Sequence, residues 1–124
     1  MQKFLVDSDV IIWYLRGRPQ DKLLIKELAT KGRLYMSVVT ITEVRAGITK
    51  NADNILKLLK IIFVPINING EVAQIAGEYR QKYKIGIADM LIAASAALTN
   101  SKLVTYNKKH FPMKEVKLYN FSKS

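Results

Sequence analysis

The stretch FLVDSDVIIWYL, Phe4 to Leu15, decides how the rest of the chain is read. An apolar run stops at Asp7 and Asp9, on either side of Ser8, and resumes at Val10. The residues before the acids, KFLV (3–6), fit a short buried strand. Those after, SDVIIWYLRG (8–17), fit a helix that Ser8 or Asp9 caps and Gly17 ends. A strand that runs straight into a helix is the repeating unit of a parallel sheet.

The same alternation continues outward. QDKLLIKELATKG (20–32) follows Pro19, sets Leu23, Leu24 and Leu28 at helical spacing and ends on Gly32. LYMSVV (34–39) predicts a second strand, and TITEVRAGI (40–48) a helix beginning at Thr40. NADNILKLLKII (51–62) is amphipathic. IIFVPI (61–66) predicts a third strand, which Pro65 assigns to a sheet edge or a strand end. NGEVAQIAGEYRQKY (69–83) and the Ala-rich IADMLIAASAALTN (87–100) predict two more helices. KLVTY (102–106) and VKLYNF (116–121) predict the last strands. The whole of 1–124 therefore predicts one α/β domain, with a mainly parallel central sheet flanked by helices. In such sheets functional residues gather where strands end and helices begin.

Composition narrows the class. Hydrophobic residues make up 49% of 124, enough for one core and inconsistent with disorder. The absence of Cys excludes disulfides and thiolate-bound zinc. The longest apolar stretches, such as MLIAASAAL, fall short of the ~18 residues of a membrane span. Asp7 and Asp9 interrupt any signal-peptide core. The expectation is a cytoplasmic protein without membrane contact. The formal net charge of +10, spread along the chain, favours a polyanionic partner such as RNA or DNA.

Against that background the ten acids can be weighed singly. Asp21, Glu27, Asp53, Glu71, Glu78 and Glu115 fall on polar helix faces, in first turns or in loops, where solvation accounts for them. Asp7, Asp9, Glu43 and Asp89 each follow an apolar run at a predicted helix start. Capping alone would explain each one: Thr40-Ile41-Thr42-Glu43 matches a capping box, and Asp89 suits the positive end of a helix dipole. Together they predict more. A domain of this length has a radius of gyration of about 14 Å, so acids on one sheet edge converge. Converging carboxylates repel one another unless a cation neutralises them, and oxygen donors suit a hard ion, Mg²⁺ or Mn²⁺. An acidic pocket on a basic body is the electrostatic plan of a metal nuclease.

Two resemblances compete. DSDVI resembles the nucleophile motif of haloacid-dehalogenase-type phosphatases, but the late GDxxxD acid pair of that family is missing around Asp89. The other resemblance covers nearly the whole chain. FLVDSDVIIWYLRG, SVVTITEVRAGI and IADMLIAASAALTNSKLVTYNKKHF, in that order, resemble PIN-domain ribonuclease toxins of the VapC type. Their pattern is a hydrophobic strand ending in Asp, a Ser/Thr-rich lead into Glu, a late xDxxIAA and a closing hhTxNxxxF. The resemblance implies a Mg²⁺- or Mn²⁺-dependent endoribonuclease, a homodimer and a VapB-type antitoxin, in some cases joined into a higher assembly. It places Asp7, Glu43 and Asp89 on the metal-binding acids. Where relatives carry a fourth acid, this chain has Asn107 or His110. Asn107 would ligate through water, orient substrate or make a turn; His110 would be a weak ligand, a phosphate contact or a surface residue beside Lys108 and Lys109.

The implied mechanism is in-line attack by metal-activated water, leaving 5′-phosphate and 3′-hydroxyl ends. Asp9 would cap the first helix and brace Asp7. Ser37 and Thr105 would hydrogen-bond the acids or simply end strands. Arg16, Arg18, Lys84, Lys108 and Lys109 are candidate phosphate contacts. Trp13, Tyr14 and Leu15 cannot all share one narrow helix face, so at least one is free for a protein partner. The alternative outside enzymology is a basic α/β module that binds RNA or DNA and uses its acids only as caps.

Overall fold

The computed structural model describes residues 1–121. Five strands form one wholly parallel sheet: β1 (Gln2–Val6), β2 (Gly32–Ser37), β3 (Val64–Ile66), β4 (Lys102–Val104) and β5 (Lys117–Leu118). Their order across the sheet is β3-β2-β1-β4-β5. Six helices connect them: α1 (Ser8–Leu15), α2 (Pro19–Lys31), α3 (Val38–Gly47), α4 (Ala52–Ile62), α5 (Gly70–Tyr83) and α6 (Ile87–Thr99). One 3₁₀ turn, Lys108–His110, follows β4.

The apolar run of β1 is continuous because both of its faces are covered. Successive side chains point to opposite faces of a strand. Phe4 and Val6 accordingly pack with Val10 and Ile11 of α1, Leu24, Ile25 and Leu28 of α2, Val44 of α3 and Leu59 of α4. Leu5 packs on the other side with Val72 and Ala76 of α5 and with Met90, Ala93 and Ala94 of α6. Small Ala side chains let α6 lie close, while its Met90 and Ile92 supply bulk.

The strand order locates the site. The chain builds outward from β1 to β2 and β3, then returns past β1 to lay down β4 and β5. The winding reverses between β1 and β4, and in open parallel sheets the crevice at that point is where ligands bind. Asp7 leaves β1 there and Thr105 leaves β4 there, joined by Asp7 N–H donating to the Val104 carbonyl at 2.9 Å.

Several element boundaries differ from expectation for local reasons. The second strand stops at Ser37 and α3 starts at Val38, because Ser37 Oγ accepts the Val39 N–H at 3.0 Å. Thr40 therefore lies inside α3, and the expected capping box does not form. The third strand keeps only Val64–Ile66, since Ile61 and Ile62 continue α4. It is an edge strand, as Pro65 requires. The fourth strand ends at Val104, which frees Thr105 and Tyr106 to turn toward the acids; of 116–121 only Lys117 and Leu118 are strand. Gly32 pairs with Gln2, and a Cβ there would sit 2.2 Å from the Gln2 carbonyl oxygen.

Candidate active site

Asp7 is the centre of the site. It is the N-cap residue of α1, in extended backbone, and its Oδ1 accepts the Ser8 N–H at 2.8 Å. Its Oδ2 accepts from the Thr105 hydroxyl at 2.7 Å. Thr105 Oγ1 in turn accepts the Asn107 N–H at 3.0 Å, so the loop after β4 is folded onto the acid. Burial pushes the Asp7 carboxyl up to about 7, helped by the negative charges of Asp9 and Asp89 and opposed by the Thr105 and Ser8 bonds.

Asp9 does not brace Asp7, nor is it the helix cap. Its Oδ1 accepts the Val10 N–H at 2.7 Å and its Oδ2 the Tyr106 N–H at 3.0 Å, so it anchors the β4 loop from the α1 side. Burial raises its pKa; the Tyr106 and Val10 bonds oppose the rise, and the charges of Asp89 and Asp21 add to it. Asp7, Asp9 and Asp89 are thus one electrostatic group.

Glu43 stands one hydroxyl away. Ser8 Oγ donates to Glu43 Oε1 at 2.6 Å. Ser8 has one hydroxyl proton, so in its 2.8 Å contact with Thr40 Oγ1 it must accept. This Thr40–Ser8–Glu43 relay ties α3 to the start of α1. Among the described residues no three acidic or histidine side chains enclose a common point. The acids are neighbours, each oriented by its own partner.

After β4 the chain turns back toward the acids. His110 is no loose surface residue: its Nδ1 lies 2.7 Å from Asp89 Oδ2. Asn107 leads into the 3₁₀ turn without a side-chain cap bond and lines a cleft beside Asp9. Ser37 caps α3 and bonds no acid. Lys108 reaches the neutral Asn120 Oδ1 at 3.4 Å and keeps its charge, whereas that of Arg18 is matched by Asp21. Arg16 lies over the Trp13 ring, and Lys84 and Lys109 are exposed.

Asp21, which solvation was expected to explain, is fully buried. It pairs with the Arg18 guanidinium and accepts from the Tyr106 hydroxyl. Arg18, three residues before it, is the local signal; Tyr106, 85 residues downstream, leaves none. On α1, Tyr14 packs edge-on to Phe63, Leu15 is part-buried and Trp13 remains 39% exposed.

The donor chemistry fits a hard divalent cation. Asp7, Glu43 and Asp89 offer carboxylate oxygens, the donors such an ion takes, and Asp7, buried and repelled by Asp9 and Asp89, would be relieved by positive charge.

Comparison with known proteins places this arrangement in a family. Residues 4–116 match the PIN domain. Ribonuclease VapC10 of Mycobacterium tuberculosis (strain ATCC 25618 / H37Rv) is 35% identical over 117 residues, covering 90% of this chain and 87% of that protein. A toxin–antitoxin complex from Klebsiella pneumoniae aligns with a TM-score of 0.76 at 29% identity, over 90% of this chain and 93% of the other. VapBC-1 from nontypeable Haemophilus influenzae aligns with a TM-score of 0.81, over 96% and 98%, and at 24% identity shows a shared fold. The family match sets the phosphatase alternative aside. Family match and relatives agree: the chain belongs to the PIN-domain family, and within it to the VapC type.

Proposed function

We propose that this protein is an endoribonuclease that hydrolyses RNA phosphodiester bonds with Mg²⁺ or Mn²⁺. We further propose that it is the toxin of a pair whose VapB-type antitoxin blocks the site. The observation that carries the reading is Asp7: a buried carboxylate at the β1/β4 switch point, kept among like charges. The relatives named as ribonucleases and as toxin–antitoxin complexes support it.

Asp7 and Asp89 would hold the ion, with Glu43 within reach through its Ser8-anchored carboxylate. A bound divalent cation supplies positive charge to a phosphate oxygen and acidity to a water molecule. The chain does the positioning. Thr105 fixes the rotation of the Asp7 carboxylate, His110 that of Asp89, and Ser8 that of Glu43. The Asn107 amide faces the cleft where substrate would enter.

A mainly apolar groove of about 300 Å³ between α1, α3 and α4, lined by Ile12, Leu15, Val44, Ile48, Ile55 and Leu58 with Arg16 and Glu43, would seat an antitoxin segment. A homodimer is the expected solution state, by family analogy.

The test is cleavage of structured RNAs by purified protein, with end-mapping of the products. Wild type should cut only with Mg²⁺ or Mn²⁺, leaving 5′-phosphate ends. Asp7→Ala and Asp89→Asn should lose at least a hundredfold in rate. RNA that is bound but never cut, with or without metal, would favour the non-catalytic binding module.

A further inference from the structure

The second feature of the active-site face is a cleft of about 420 Å³ that begins at Asp9 and runs along Trp13, Arg18 and Tyr106. That volume lies within the range of small-ligand sites. Its wall is a ladder of flat groups. The Arg18 guanidinium lies 4.2 Å from the Trp13 ring centroid and 5.1 Å from that of Tyr106. Buried Asp21 locks this ladder by binding both Arg18 and the Tyr106 hydroxyl. Tyr106 N–H, at the other end of the same residue, holds Asp9. The ladder and the acid group are therefore one rigid construction.

The chemistry of the cleft selects its occupant. Arg18 has its charge matched by Asp21, Asp9 contributes a carboxylate, and Arg16, 5.3 Å from the Trp13 ring centroid, lies outside the lining, so flat groups rather than free cations make the cleft. Flat faces and amides are well served: Gln20 and Asn107 line the same space, and each amide both donates and accepts. Aromatic rings and guanidinium planes are what single-stranded RNA bases stack on, and amides read base edges. We propose that this cleft takes an unpaired RNA base next to the scissile phosphate, stacked on the Trp13–Arg18–Tyr106 ladder and read by Gln20 and Asn107. The choice of RNA as ligand rests on the nuclease reading.

Trp13 is the only tryptophan, so its fluorescence reports the cleft directly. The protein is titrated in EDTA, which prevents metal-dependent cleavage, with a ten-nucleotide single-stranded RNA. The same strand in a duplex and inorganic polyphosphate serve as comparison ligands. Single-stranded RNA should quench Trp13 saturably, and the other two should not. By anisotropy of labelled RNA, Trp13→Ala should weaken single-strand binding about tenfold, with duplex binding unchanged. Trp13→Phe should restore most of the loss. Equal quenching by polyphosphate, or equal losses of Trp13→Ala for both RNAs, would overturn the base site. So would an emission change on dilution of a dimer with none on adding RNA, which would assign the ring to a protein contact. Quenching with no metal-dependent cleavage would support the cleft and defeat the nuclease reading, so the two fail separately.

Discussion

Asp7 shows how one residue links chemistry to stability. Its carboxyl has a pKa near 3.8 in an unfolded chain and about 7 in the fold. Between those values the folded protein binds more protons than the unfolded chain, so its stability falls as pH rises. The loss is complete above pH 7 and amounts to a few kcal/mol. In EDTA, urea unfolding should show wild type weakening from pH 4 to pH 8. Asp7→Asn should flatten that slope and be the more stable protein at pH 8. An unchanged slope in the variant would mean that burial of this charge is not its cause. The sequence singled out Asp7, Glu43 and Asp89 as acids after apolar runs at predicted helix starts; the fold keeps Asp7 and Asp89 at helix starts and puts Glu43 in the middle of α3. The engagement of His110 with Asp89, and of Tyr106 with Asp21, was not legible there. Those pairs join residues 21 and 85 positions apart, and only the turn after β4 brings them together.

At the scale of elements, apolar runs and their punctuation gave the right sequence of strands and helices, and errors fell at the junctions. The run SVV (37–39) reads as the end of a strand because Val favours it. The Ser37 hydroxyl overrides that preference by capping α3 three residues earlier than expected. Such a competition between a side-chain bond and a propensity is decided in the folded geometry. Gly32 is a second case. As a helix stop it was legible, but its close approach to Gln2 was not. Gly32→Ala must push β1 from β2, and should cost about 2–3 kcal/mol in thermal unfolding. Gly77, inside α5, has no neighbour near its missing Cβ, so Gly77→Ala should gain about 0.5–1 kcal/mol. If the two variants changed stability alike, the close approach of the first two strands would not be what demands glycine.

Across the whole molecule, a body of net charge +10 surrounds a cluster of acids. The cations attract phosphate from a distance, and a cation held by the acids would lower their repulsion of the phosphate to be cut. RNA affinity should therefore fall steeply between 50 and 200 mM salt, by roughly tenfold or more if a few phosphates are contacted. A flat response would remove polyanion binding from the account. The positive field could be read from composition alone, whereas the depth of the acidic crevice depends on the reversal of winding between β1 and β4. The central claim is that the acids at that reversal hold a divalent ion, and the most direct measurement is a calorimetric titration of purified protein with Mn²⁺. Wild type should show saturable binding that Asp7→Asn and Asp89→Asn each abolish. Equal Mn²⁺ binding by wild type and both variants would contradict it.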